Sequence, residues 1–239
     1  MRPWAFGSFL PVQTEKLVRA ARTAGVRTYC EVGFNGGHTA AAVLAATRHV
    51  TVRTFDSGEY GTHTKRNAKF LRSVHPRRFA FTFGDSVTTL QLLAARVRSG
   101  AEPPCDLMLL DGSHKEDVAL ADLSHFRAAA SPNALLILDD LDSPAARTVL
   151  LAVQQGWLRL HAWYLYHVRP KNEMPLRELM WECPRCLDGL PNLTIVSDRA
   201  RRLLPCMRWI HKGCTPTSWP DEACQLCHNG AAWGLAGFS

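Results

Sequence analysis

No run of about 18 uncharged apolar residues occurs anywhere in the chain, so no membrane-spanning helix is predicted. The opening stretch Met1-Arg2-Pro3-Trp4-Ala5-Phe6 lacks the continuous apolar segment of a secretion signal. These absences point to a soluble, cytoplasmic protein, unless a leader has been removed from its start. Internal repeats and low-complexity tracts are absent too, which excludes solenoid arrays and disordered linkers. No uninterrupted basic tract stands out beyond the neighbourhood of Arg199, Arg201 and Arg202, a cluster that reads as a solvated helix face. The formal net charge of +7, from 28 basic against 21 acidic residues, therefore implies only a general attraction for anions such as nucleic acid or a phosphorylated substrate. Cysteine is nearly missing from the first 180 residues. Cys30 and Cys105 sit there in apolar, strand-like runs and read as small hydrophobes, whereas Cys183, Cys186, Cys206, Cys214, Cys224 and Cys227 crowd the remainder.

What is present is enough apolar material, 46% of 239 residues, to bury the core of one α/β domain with an elaboration. An aromatic arm (Trp4, Phe6, Phe9) precedes a helix over 14–24 that ends at Gly25. Strands are expected over 28–32, 50–55, 78–83, 106–110 and 134–138. Helices are expected over 39–48, 65–74, 87–98 and 116–130, and one opened by Ser143-Pro144 follows the fifth strand. A sixth strand fits 157–168 and a short last one 231–238. Continuous apolar strands alternating with helices imply a parallel sheet covered on both faces. Ligands of such sheets bind outside the carboxyl ends of the strands, and every strand up to the fifth ends there in a polar or glycine-rich cluster.

The first of these clusters is Glu31-Val32-Gly33-Phe34-Asn35-Gly36-Gly37-His38-Thr39, between a strand and a helix. Its glycines let backbone approach a ligand while the amides of the helix start face it; a tight connection without a ligand is the competing reading. Asp56, at the end of the next strand, stands where a carboxylate accepts hydrogen bonds from ribose hydroxyls. On these residues the segment 28–142 resembles the class I S-adenosylmethionine-dependent methyltransferases. Within them it is similar to the metal-dependent small-molecule O-methyltransferases of the catechol and macrocin types. The turn matches their E-x-G-x-x-x-G in register through Thr39, and Gly84-Asp85-Ser86 matches the segment whose residues flank adenine. The resemblance implies a Rossmann-like seven-stranded sheet with helices on both faces, and S-adenosylmethionine held by Glu31, Gly33, Asn35, Gly37, Thr39, Asp56, Asp85, Ser86 and Asp111. A dinucleotide site would want G-x-G-x-x-G, which this turn does not offer.

Asp111 after the fourth strand and Asp139 with Asp140 after the fifth place three carboxylates at neighbouring strand tips. They would repel one another unless a cation sat among them, and hard oxygen ligands suit Mg²⁺ or a similar ion. In the resembling families such an ion chelates vicinal hydroxyls and aims one at the methyl group. The competing reading is helix capping by Asp139 and Asp140, with Asp142 and Ser143 as rival caps. His114, three residues after Asp111 where the catechol enzymes carry a lysine, is the candidate base. It could equally be an exposed loop histidine. His38 and His63 are expected near the cofactor or in solvent, and Trp163, Tyr164 and Tyr166 as pocket wall or core.

Domain boundaries follow: a cofactor-binding core over 1–168, a cysteine-rich insertion over 169–230 and a final core strand over 231–239. In the insertion, Cys183-x₂-Cys186 and Cys224-x₂-Cys227 are two knuckles separated by 37 residues, a pattern for structural zinc. Cys206, His211, Cys214 and His228 are substitute ligands. Three disulfides in an oxidising, secretory compartment fit the even count equally well. Cys224-Gln225-Leu226-Cys227-His228 also has the spacing of a haem attachment site, in a chain with no haem domain. Three functions compete: O-methylation of a small acceptor with adjacent oxygens, nucleic-acid methylation, and a non-catalytic binding module that keeps the fold.

Overall fold

The computed structural model describes residues 11–59, 61–139, 145–167 and 230–238. In chain order these form α1 (Pro11–Ala21), β1 (Thr28–Val32), α2 (His38–Ala46), β2 (Thr51–Asp56), α3 (Thr62–Val74), β3 (Phe79–Phe83), α4 (Ser86–Arg98), β4 (Cys105–Leu110), α5 (Glu116–Ala129), β5 (Ala130–Leu138), α6 (Ala145–Gln154), β6 (Leu158–His167) and β7 (Gly230–Phe238). The strands make one sheet in the order β3-β2-β1-β4-β5-β7-β6. The expected alternation is present, with boundaries moved by a few residues. The largest shift is in β5, which begins at Ala130 directly after α5. Its leading half, Ala130-Ser131-Pro132-Asn133, is not buried and carries turn-forming residues, so no apolar pattern marked it as strand. The aromatic arm, Asp140, the Ser143-Pro144 helix start and the cysteine-bearing stretch 168–229 lie outside the described residues.

Packing divides the chain into two compact units, one running to Ile137 with Phe238 grouped to it, the other from Leu138 onward. In the first, β1 pairs in parallel with β2 on one side and β4 on the other, and β2 pairs in parallel with β3. Val32 aligns with both Phe55 and Leu110, so the carboxyl ends of the three central strands are flush. Every residue of β1 is buried. Because successive residues point to opposite faces, a wholly buried strand must be covered on both. The covering is supplied by α1 packed on α2 and α4 packed on α5. Chain direction across the sheet reverses between β1 and β4, which makes their carboxyl ends the switch point. The insertion of β7 between β5 and β6 departs from the dinucleotide-binding order 3-2-1-4-5-6.

Cys30 and Cys105 depart from the expectation of two separate small hydrophobes. They are joined in a disulfide, with Cα atoms 5.9 Å apart, across 75 positions of sequence. Only the topology, which lays β4 beside β1 after two intervening strands, brings them together. At the amino ends of the strands the loops are tied by charged side chains. The Arg78 guanidinium donates to the carbonyls of Leu44, Thr47 and Val50, and Asp106 accepts from the amides of Arg27 and Thr28. In the second unit α6 packs on β6 and buries Thr148, Val149 and Ala152. No helix among the described residues is long and apolar enough to cross a membrane.

Candidate functional site

At the switch point the chain leaves β1 through Gly33, whose φ is +94°. A Cβ there would run into the backbone carbonyl of Asp111, so close approach of the β1 and β4 ends requires glycine. Asn35 then turns with φ +43°, the one positive value among the described non-glycine residues. Such a residue is held by its surroundings. Its amide donates to Asp56 Oδ2 at 2.7 Å, and its side-chain Oδ1 pairs with His63 Nε2 at 2.9 Å. The Asn67 side chain donates to the Gly36 carbonyl at 2.9 Å. The start of α3 thus clamps the turn from one side, while Asp56 spans it and the next loop by also accepting from the Gly58 amide at 2.5 Å. His63, expected near the cofactor or in solvent, is a structural partner of the turn.

Beneath the turn, Glu31 is fully buried and accepts a 2.6 Å hydrogen bond at Oε2 from the Tyr29 hydroxyl. Its Oε1 has no hydrogen-bond partner among the described residues. Burial raises its pKa from 4.5 to about 7, against hydrogen bonds from Tyr29 and Thr39 and with help from the Asp56 charge. Burial, and then the Glu31 charge, also push the Tyr29 phenol upward. The next loop is organised by Asp85, which caps α4 by accepting from the Thr88 amide and hydroxyl, each at 3.0 Å. Ser86, the first residue of α4, donates to Asp122 of α5.

The residues singled out in the sequence fall into three groups. Glu31, Gly33, Asn35, Gly37, Thr39 and Asp56 come together at the glycine turn, and the Asp111 backbone lies against Gly33. Asp85 and Ser86 form the separate start of α4. His114 is exposed in the loop between β4 and α5, and Asp139 directly follows β5. Among the described residues no group of three or more His, Cys, Asp or Glu is arranged to hold a metal. Asp140, Cys183, Cys186, Cys224 and Cys227 lie outside those residues. Sequence reasoning missed Tyr29, Asn67 and Asp122. For Asp122 a signal existed: it interrupts the apolar stripe of Ala119, Leu123 and Phe126 on the buried face of α5.

Both ends of the strands carry mixed charge: Glu31, Asp56, Glu59, Asp85, Asp111, Glu116 and Asp117 lie at or just beyond the carboxyl ends with Lys65, Arg66 and Lys115, while exposed Arg22, Arg27, Arg48, Arg77, Arg96 and Arg98 lie at the amino ends with Glu102 and Asp106.

Residues 30–141, which span the glycine turn through Asp139, match the family model described as a methyltransferase domain. The chain carries a methyltransferase domain. The segment's likeness is to the class I, S-adenosylmethionine-dependent methyltransferases. The chain is similar in structure to an O-methyltransferase from Bacillus cereus in complex with SAH (17% identity, 66% of this chain and 76% of that one, TM-score 0.53). It is similar also to the cofactor-bound Rv0187 from MTB (20% identity, 66% and 74%, TM-score 0.54). A third is CalS11, a TDP-rhamnose 3'-O-methyltransferase of calicheamicin biosynthesis (14% identity, 69% and 76%, TM-score 0.50). At these identities the likeness speaks to the fold of the methyltransferase domain. No curated protein matches the sequence.

Proposed function

We propose that the chain methylates an oxygen of a small molecule bearing adjacent oxygens, such as a sugar, a polyketide or a catechol-like phenol. The observation that carries this reading is the placement of Asp111 directly after β4 and Asp139 directly after β5, strands that are neighbours in the sheet order. With Asp140, which lies outside the described residues, they would offer a set of hard carboxylate oxygens of the kind that suits Mg²⁺ or a similar cation. When bound, the cation would supply Lewis acidity to two acceptor oxygens. The chain's own residues do the rest. The glycine turn and Asp56 would hold the methyl donor, and His114 would accept the hydroxyl proton. The new O–CH₃ bond forms as the S–CH₃ bond breaks, and S-adenosylhomocysteine leaves. Two of the similar structures are those of O-methyltransferases, one of them for a sugar. The core over 1–168 and 231–239 would carry this chemistry, with the insertion over 169–230, stapled by zinc at Cys183, Cys186, Cys224 and Cys227 or by disulfides, beside it.

Asp111→Ala and Asp139→Ala are each expected to abolish turnover of a catechol or sugar acceptor, and Asp139→Ala to keep S-adenosylhomocysteine affinity within a few-fold. Chelation of divalent ions should stop the wild-type reaction, and Mg²⁺ restore it. Unchanged rates after chelation and in both variants would remove the metal-assisted mechanism.

A further inference from the structure

Asp122 is a carboxylate of α5 with no exposed surface, set among Ala119, Leu123, Phe126 and Ala129 on the helix's buried face. A buried carboxylate costs several kcal/mol unless it is neutral or well bonded, so its retention there asks for a reason. Its Oδ2 accepts a 3.0 Å hydrogen bond from the hydroxyl of Ser86. The same oxygen would lie 3.5 Å from a Cβ built on Gly112, so the backbone just past the end of β4 rests against it. Its Oδ1 has no partner among the described residues. One side chain therefore touches two segments at the carboxyl ends of the strands, the start of α4 and the loop after β4. Burial raises the Asp122 pKa from 3.8 to about 7, opposed by the Ser86 bond and reinforced by the charge of Asp85, so the group is extensively protonated near neutrality.

We propose that Asp122 is a positioning residue for the purine end of the cofactor, setting the gap between Ser86 and Gly112 through its hydrogen bond to Ser86. This rests on the reading of Asp85 and Ser86 as flanking adenine. The effect should appear in cofactor binding before the methyl-transfer step, because the hydrogen bond of Asp122 is to Ser86 at the start of α4.

The test is titration with S-adenosylhomocysteine, together with kcat and KM for S-adenosylmethionine. Asp122→Ala and Ser86→Ala should each weaken binding about tenfold, with KM rising to match and kcat within twofold. The double variant should be no worse than either single one, because both delete the same bond. Asp122→Asn, which keeps an acceptor for Ser86, should restore binding to within about threefold. A normal affinity in soluble, folded Asp122→Ala and Ser86→Ala, or additive losses in the double variant, would overturn the proposal. If Asp122→Ala fails to fold, Ser86→Ala and Asp122→Asn decide it alone. Wild-type protein that binds no S-adenosylhomocysteine would instead overturn the underlying reading of the site.

Discussion

The two ends of the central strands are built differently. At the amino ends polar groups are satisfied: Arg78 donates to three carbonyls, Asp106 accepts from two amides, and Arg53 is held by Glu102 and the Pro103 carbonyl. At the carboxyl ends lie the positive-φ Asn35 and three buried atoms without hydrogen-bond partners among the described residues, Glu31 Oε1, Thr64 Oγ1 and Asp122 Oδ1. The glycines differ in the same way. A Cβ on Gly33, Gly37 or Gly58 would collide with a neighbour, whereas one on Gly25 or Gly100 would meet nothing within 4 Å. Local rules are obeyed where the sheet only needs to be stable and broken where it has to leave room for a ligand.

The largest effect separating the two ends should come from glycine substitution. Gly33→Ala places a methyl group against the Asp111 backbone at φ +94°, and neither segment can yield without parting β1 from β4. Loss of S-adenosylhomocysteine binding by more than about a hundredfold, or failure to fold, is expected. Gly100→Ala, at φ +74° with open space around it, should cost only the left-handed backbone strain of about 1 kcal/mol and leave binding intact. Calorimetric titration and thermal melts check both. Equal losses in the two variants would erase the distinction.

The contrast also marks how much could be read from sequence. Strand and helix periodicity located the elements, and the glycine turn with Asp56, Asp85 and Asp111 located the carboxyl-end cluster, because those features are local. What escaped depends on contacts across the fold. The Cys30–Cys105 disulfide needs β4 to return beside β1. The clamp of His63 and Asn67 on the turn needs α3 folded back over it. Asp122 was visible as an acid in an apolar stripe, but its partner Ser86 is 36 positions away.

A pH effect should follow from the carboxyl end. In the unfolded chain Glu31 ionises near 4.5, whereas burial keeps it protonated to about 7 in the folded sheet. The folded state holds the extra proton between those values, so this group's contribution to stability falls as pH rises from 4.5 to 7 and is level above. The full swing is about 3 kcal/mol at most. Asp122 acts in the same sense. Glu31→Gln should therefore lose part of the fall in urea midpoint between pH 5 and pH 8. A variant with the wild-type slope would mean that Glu31 is ionised in the folded protein.

At the amino end the expected effects are smaller and confined to stability. Arg78→Ala deletes three charge-assisted bonds to carbonyls that have to find water instead, and should cost about 2 kcal/mol without changing cofactor affinity. A weakened affinity would show the two ends to be coupled.

Glu15→Ala should have the least effect and isolates why Arg78 matters. Arg19 reaches Glu15 at 2.9 Å, nearly the distance at which Arg78 meets the Leu44 and Thr47 carbonyls. Yet both side chains of the α1 pair are mostly exposed, 81% and 67%, so water screens the attraction and solvates either partner when the other is removed. A loss below about 0.5 kcal/mol is expected, shrinking further in high salt. A Glu15→Ala loss as large as that of Arg78→Ala would show that charge pairing itself, and not the burial of the carbonyls it serves, stabilises this end of the fold.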